Sequence, residues 1–458
     1  MNENPADLAP ELCVLIAAVL GLVNGLFLPR ARQWWVAGVC AAGLLAGLVV
    51  AGLAATRPDL AAFDAFAIDP ITHVTRIAVL ATTAAVIALA AATVRGHPRE
   101  TEFYVLTMLS ALGAITLGAS SDLLVLVAAY LLASIPAYAL AGFGKDAPGT
   151  EAALKYYLMG AFLGILMLAG ATLLYGVGRG TAYGPLRDGL GTAPAAAVGA
   201  AVVALLAGLL FKAGAVPGHY WVPDVAEGAP PVVAAFATTV PKIGAFAALL
   251  RFGADALPPG TFDWAPLVAV VAAATMTLGN LAAFGQDNVR RLLAYSTVSQ
   301  AGYLLVPVAM AARGDLAEPA LLYYAAAYAV TNLGAFAVVV AVGRDDLDGY
   351  TGLLRASPLL GASLAVCLLG LVGTPPTAVF VGKVLMFGAA LDGHYAWLAV
   401  LAAVNSVASV FYYLRWIVPT FGKPRPGLRP ARAPTAIAVA LAAASLALGL
   451  ASGIALSL

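Results

Sequence analysis

Three lysines stand where a charge is least expected. Lys212 closes an apolar run that starts at 196, Lys242 sits inside the apolar stretch 229–250, and Lys383 lies in the second half of the stretch 358–388. A cation in hydrocarbon costs about 2.5–3.5 kcal/mol on insertion scales, so such residues usually face a bundle interior or a water-filled path. Snorkelling to the interface is the ordinary alternative. It suits Lys212, suits Lys383 less, and suits Lys242 least, because apolar residues flank it on both sides. The chemistry open to a buried primary amine is to take up a proton and pass it on. His219, in Pro217-Gly218-His219-Tyr220-Trp221, could join such a relay, since an imidazole with an unperturbed pKa near 6.5 exchanges protons at neutral pH. The plainer reading is an interfacial side chain beside Trp221. Lys155 opens another apolar stretch, where a relay role and snorkelling weigh equally.

The acids are distributed differently. All 23 carboxylates fall in loops or at the ends of apolar stretches, with Asp122 nearest to an interior. Pairing with a carboxylate is the usual way to hold a buried cation. Without it, either water solvates these lysines or they spend part of their time neutral, the form that desolvation favours for an amine. Both states serve a proton relay. Asp224 and Glu227 read as loop residues that are structural or cap a helix start.

The elements that must position these residues are membrane spans. Of the 458 residues 62% are apolar and only 10% charged, and the mean hydropathy is +0.93. An ordinary soluble domain carries about 25% charged residues. Apolar runs of roughly 20 residues recur from end to end, each long enough for a bilayer. Fourteen helices are expected, near 11–29, 34–54, 74–94, 103–118, 121–143, 153–175, 194–215, 229–250, 264–285, 291–312, 318–342, 358–388, 394–418 and 433–457. The twelfth contains Thr374-Pro375-Pro376-Thr377 and reads as a broken helix; Pro217 and Pro223 predict a second break after the seventh. Alternate loops, beginning with 30–33, hold fifteen of the 24 Lys and Arg residues and the opposite loops six. Basic residues gather on the cytoplasmic side, so both termini are expected outside. The chain is thus an all-α polytopic membrane protein with the lipid bilayer as its solvent.

Several functions are disfavoured by composition. A net charge of +1 without a basic block argues against a nucleic-acid partner. Cys13, Cys40 and Cys367 are far apart, and His73, His97, His219 and His394 are isolated, so metal, iron–sulfur and haem ligation have no motif. Met1 to Pro10 has no basic residue and does not read as a signal peptide. The run Gly176-Val-Gly178-Arg-Gly180 reads as a connecting loop, not a phosphate cradle. Tyr323, Tyr324 and Tyr328 read as packing residues and interface anchors.

Four segments resemble one family, the antiporter-like membrane subunits of respiratory complex I, and within it the subunit N branch of NADH–quinone oxidoreductase. They are Leu154-Lys155-Tyr156-Tyr157-Leu158-Met159-Gly160-Ala161-Phe162, then Phe211-Lys212-Ala213-Gly214-Ala215-Val216-Pro217-Gly218-His219 through Pro230 to Pro241-Lys242, then Gly279-Asn280 through Arg290-Arg291-Leu292-Leu293-Ala294-Tyr295-Ser296, and Gly373-Thr374-Pro375-Pro376-Thr377 with Gly382-Lys383. The second separates the chain from the L- and M-type subunits and from Mrp-type sodium/proton antiporters.

The resemblance implies two inverted five-helix repeats, each with one broken helix. The chain would divide into a three-helix segment at 1–102, repeats at 103–250 and 264–418, and a last helix at 433–458. It also implies a multi-pass subunit of a bacterial inner (cell) membrane, with the other membrane-arm and peripheral subunits of complex I as partners. Protons would move along Lys212, Lys242, Lys383 and His219, with Lys155 a further candidate. No cofactor is expected on this chain; FMN, iron–sulfur clusters and quinone belong to other subunits, where the redox chemistry occurs.

Two positions depart from the family pattern. Aligned on Ser134-Ile135-Pro136 and Tyr138, the fifth-span glutamate that pairs with the first broken helix's lysine is Leu131 here. The tenth span reads Ser299-Gln300-Ala301-Gly302-Tyr303 where N-type chains often have a histidine. A glutamate at 131 would be expected to face Lys212. The competing functions are a stand-alone proton/cation antiporter and a non-pumping scaffold copy of the subunit.

Overall fold

The computed structural model describes residues 4–452; residues 1–3 and 453–458, including the end of the expected last helix, lie outside them. The chain begins with α1 (Ala9–Phe27) and α2 (Trp34–Ala54), followed by a small hairpin, β1 (Leu60–Ala62) and β2 (Phe66–Ile68), and by α3 (Pro70–Thr93). The hairpin is antiparallel, with Leu60 opposite Ile68, and is an addition to the all-helical expectation. Next come α4 (Glu100–Ala119), α5 (Leu123–Ala141), α6 (Ala147–Gly178) and the short α7 (Tyr183–Leu190), which lies where a plain loop was expected. Gly176 and Gly178 are the last turn of α6, not a loop, and Arg179 caps it in the left-handed region at φ 58°.

The acids at span ends have a local reason. Asp69 accepts from the Thr72 amide at 3.0 Å at the start of α3, and Asp122 from the Leu124 and Val125 amides at the start of α5. Asp146 does the same for α6 through Gly149. Each satisfies amides that the first helical turn leaves unbonded. Asp122 is not the acid nearest the interior, however. Glu100, at the start of α4, is 1% exposed against 9% for Asp122, and it accepts from the Gly96 amide at 2.8 Å.

The middle of the chain holds the interruptions. Helix α8 (Ala195–Ala213) stops at Gly214, and a single turn at Gly218–Tyr220 leads into α9 (Trp221–Gly228). Then follow α10 (Pro231–Ala237) and α11 (Val240–Arg251), so the expected eighth span is itself interrupted at Thr238–Thr239. Pro241 explains this unforeseen break, because it has no amide to bond Ala237 and its ring crowds that carbonyl. Every residue of α11 is buried.

The second half contains α12 (Ala265–Phe284), α13 (Val289–Ala309), α14 (Ala317–Val342) and the one-turn α15 (Leu353–Ala356). It closes with α16 (Pro358–Val372), α17 (Ala378–Asp392), α18 (Ala396–Ile417) and α19 (Arg432–Leu450). Helix α16 ends at Gly373, and Thr374–Thr377 separate it from α17. Both expected breaks therefore lie where the prolines placed them. Among the described residues thirteen helices are long and apolar enough to cross a membrane; the broken pair α16–α17 supplies the remaining expected path.

Candidate functional site

The three lysines are almost fully buried: Lys212 and Lys242 are 1% exposed and Lys383 is 3% exposed. Their surroundings differ. Lys212, in the last turn of α8, donates its Nζ to the carbonyl of Ala133 on α5 at 2.9 Å. The Ser110 hydroxyl donates to the same oxygen at 2.7 Å. Lys383 donates to the Val372 carbonyl and the Ser406 hydroxyl, both at 2.8 Å, and its Nζ stands 4.1 Å from the centre of the Tyr303 ring. Lys242, in the first turn of α11, has a buried Nζ with no hydrogen-bond partner among the described residues.

Backbone interruption supplies the polar groups. The carbonyls at a helix C-terminus have no partner within the helix and carry its negative end. At α16 the last two are taken by side chains: Lys383 bonds Val372, and the Gln300 amide donates to Leu371 at 2.8 Å. The Tyr324 hydroxyl in turn donates to the Gln300 side-chain carbonyl at 2.7 Å. The unforeseen break is filled in the same way. Asn332 donates to the Thr239 hydroxyl at 2.9 Å, and Tyr328 donates to the Thr238 carbonyl at 2.9 Å with its oxygen 3.1 Å from the Thr297 hydroxyl. Tyr324 and Tyr328 are thus interior hydrogen-bonding residues, not interface anchors; only Tyr323 lies toward the rim, donating to the Leu448 carbonyl.

The remaining candidates fall elsewhere. His219 is buried in the turn between α8 and α9, with its ring 4.4 Å from that of Tyr220 and its Nδ1 without a hydrogen-bond partner among the described residues. Lys155 is not part of the buried set. Its side chain is 49% exposed and pairs with Glu151 at 2.8 Å and Asp224 at 3.1 Å. Asp224 and Glu227 belong to helix α9 rather than a loop, and both meet Arg291 of α13, Glu227 at 2.7 Å. Two of the sequence motifs are joined through these contacts.

Leu131 does not face Lys212. It is 46% exposed while its neighbours Tyr130, Ala133 and Ser134 are buried. The backbone of α5, not the side chain at 131, reaches the lysine. Two buried arginines missed by a count of loop charges complete the picture. Arg76 of α3 makes a two-point pair with Glu11 of α1 at 2.7 and 2.8 Å. Arg251 ends α11 and holds Asp69 at 2.6 and 2.7 Å and the Gly118 carbonyl at 3.1 Å. Burial alone would raise the Asp69 carboxyl, but the Arg251 guanidinium overrides it and holds the group below its ordinary range. Among the described residues no three His, Cys, Asp or Glu side chains come together to hold a metal ion.

A multi-span bundle with helices interrupted beside buried lysines has the form of an antiporter-like membrane subunit. The family described as NADH:quinone oxidoreductase/Mrp antiporter, transmembrane region, matches residues 120–409. NADH-quinone oxidoreductase subunit N 1 of Streptomyces griseus subsp. griseus is 55% identical over 421 residues, covering 92% of this chain and 89% of that protein. NADH-quinone oxidoreductase subunit N of a Mycobacterium species (strain JLS) is 53% identical, covering 92% and 90%. A chain of respiratory complex I from Thermus thermophilus superposes with a TM-score of 0.86 at 33% identity, covering 98% of both chains. The chain belongs to the NADH-quinone oxidoreductase subunit N family.

Proposed function

We propose that this chain is a membrane-arm subunit of an NADH–quinone oxidoreductase and conducts protons across a bacterial cell membrane along Lys212, Lys242 and Lys383. His219 would exchange protons near the first break. NADH oxidation and quinone reduction would occur on partner subunits carrying FMN, iron–sulfur clusters and quinone, and would drive the movement. Both termini would face outward, and helices α4–α11 and α12–α18 would form two inverted repeats, preceded by a three-helix segment and followed by α19.

The observation that carries this reading is the burial of three amines at interrupted helices without a carboxylate partner among the described residues. Carbonyls and hydroxyls accept hydrogen bonds from an ammonium but do not fix its charge as a carboxylate would. A lysine held in that way gives up its proton and regains it, whereas an ion pair traps it. Hydrogen-bonding groups on α13 and α14 lie between the breaks and offer a polar route through an otherwise apolar core.

The test is the purified complex in sealed vesicles, with proton uptake measured against NADH oxidised. Lys242→Ala and Lys383→Ala should assemble, oxidise NADH and pump fewer protons per turnover. Variants that pump at the parental ratio would overturn the proposal. So would a chain that purifies alone and exchanges protons for another ion.

A further inference from the structure

We infer that Gly214 is a positioning residue for Lys242, keeping clear the space through which its ammonium reaches the C-terminal end of α8. This rests on the proton-conducting reading and adds a residue to it. Gly214 caps α8 at φ 70°, ψ 33°, with its amide directed to the Leu210 and Phe211 carbonyls. A methyl group placed on its Cα would stand 2.7 Å from Lys242 Nζ, 3.1 Å from Lys242 Cε and 2.9 Å from Val222 Cγ2. The tip of Lys242 therefore lies directly against the α-carbon that ends α8, beside the negative pole of that half-helix. The Lys242 ammonium has no hydrogen-bond partner among the described residues, and the C-terminal end of the half-helix beside it favours a positive charge.

The second break repeats the arrangement. Gly373 caps α16 at φ 91°, and a methyl there would stand 2.8 Å from Lys383 Cδ. The difference is informative. At Gly373 the glycine faces the stem, and Nζ goes on to bond Val372; at Gly214 it faces the ammonium itself. A side chain at 214 would push the charge off the helix end, whereas one at 373 would bend the stem.

The chain contains its own control. Gly343 caps α14 at φ 66°, ψ 31°, nearly the backbone of Gly214, yet a methyl on it would meet nothing within 4 Å. Alanine at either site pays the same left-handed backbone cost, and only at 214 does it meet side chains, those of Lys242 and Val222.

The experiment compares Gly214→Ala, Gly343→Ala, Lys242→Ala and the double variant Gly214→Ala/Lys242→Ala in the assembled complex, reading assembly, NADH oxidation and proton pumping from pH 6 to 9. Gly214→Ala should lower pumping by about two- to fivefold, the factor a helix terminus exerts on an adjacent cation, and should shift its pH profile. Gly343→Ala should do neither, and the double variant should pump no worse than Lys242→Ala. If Gly214→Ala impairs assembly, adding Lys242→Ala together with Val222→Ala should restore it, because both crowded side chains are then gone. Equal pumping by the two glycine variants, additive losses in the double variant, or an assembly defect that persists without the Lys242 and Val222 side chains would each overturn the inference. Normal pumping by Lys242→Ala would instead overturn the proposed function, so the two failures are distinct.

Discussion

The Nζ of Lys212 and the hydroxyl of Ser110 converge on one oxygen, the carbonyl of Ala133, at 2.9 and 2.7 Å. A backbone carbonyl occupies the place beside the lysine where the family pattern leads one to expect a carboxylate. Its dipole holds the ammonium without a compensating charge, and it cannot be removed by substituting a side chain. Leu131→Glu should therefore fail to make a pair with Lys212. It would place a carboxylate on the outward face of α5, at a cost of a few kcal/mol in an apolar setting. The expected outcome is reduced assembly on native gels, with Leu131→Met assembling normally. Full assembly with raised pumping would show that the side chain can swing inward.

Lys242→Arg should not replace Lys242. Arginine remains protonated under all ordinary conditions and cannot hand its proton on. Assembled complex should oxidise NADH while pumping at the level of Lys242→Ala. Parental pumping by the arginine variant would show that position 242 needs only a positive charge.

Tyr303 lies under the Lys383 ammonium, 4.1 Å from ring centre to Nζ. The ring face is worth about 0.5–2 kcal/mol to a partly desolvated cation. Tyr303→Phe should keep most pumping, and Tyr303→Leu should lose several-fold with assembly retained. The ratio of protons moved to NADH oxidised distinguishes them; equal losses in the two variants would assign the effect to the hydroxyl.

The Asp69–Arg251 pair ties α3 to α11, and its removal should destabilise the bundle. Asp69→Asn leaves a buried guanidinium short of its main partner, at about 3 kcal/mol; Asp255, at 3.6 Å, retains part of the compensation. Since the folded state lowers the Asp69 pKa, the contribution is complete above the unfolded value of about 3.9 and is lost as pH falls through the lowered one. The gap in thermal unfolding temperature between parent and variant should be constant from about pH 5 to 8 and narrow toward pH 3. A gap that widens on acidification would contradict the assignment.

Lys155→Ala should assemble and pump at the parental ratio. Its pairs with Glu151 and Asp224 are exposed and screened. A large loss of pumping with NADH oxidation intact would return Lys155 to the proton path.

Depth in the membrane was legible in the sequence, and rotation about the helix axis was not. Lys212, Lys242 and Lys383 interrupt apolar runs, and the structure buries all three; Pro217 and Thr374–Thr377 marked two breaks correctly. Hydropathy carries no information on which side of a uniformly apolar helix faces inward. Aligning α5 on Ser134-Ile135-Pro136 puts Leu131 opposite Lys212, yet the side chain points away; Tyr324 and Tyr328 pack in the interior as the sequence suggests, but as hydrogen-bonding core residues rather than interface anchors. The break at Thr238–Thr239 did leave a trace, in Pro241 three residues on from Thr238, but a run of apolar residues on both sides concealed it. Arg251 ends α11 and Arg76 stands near the start of the expected span 74–94, places where a charge is ordinarily solvated.

The pair between Glu11 and Arg76 spans 65 positions of sequence. At synthesis rates of about 5–20 residues per second, roughly 3–13 s separate the emergence of the two residues from the ribosome. During that interval the Glu11 carboxylate has no Arg76 guanidinium to meet it, so the contact that ties α1 to α3 forms only after α2 and the hairpin between them have been made.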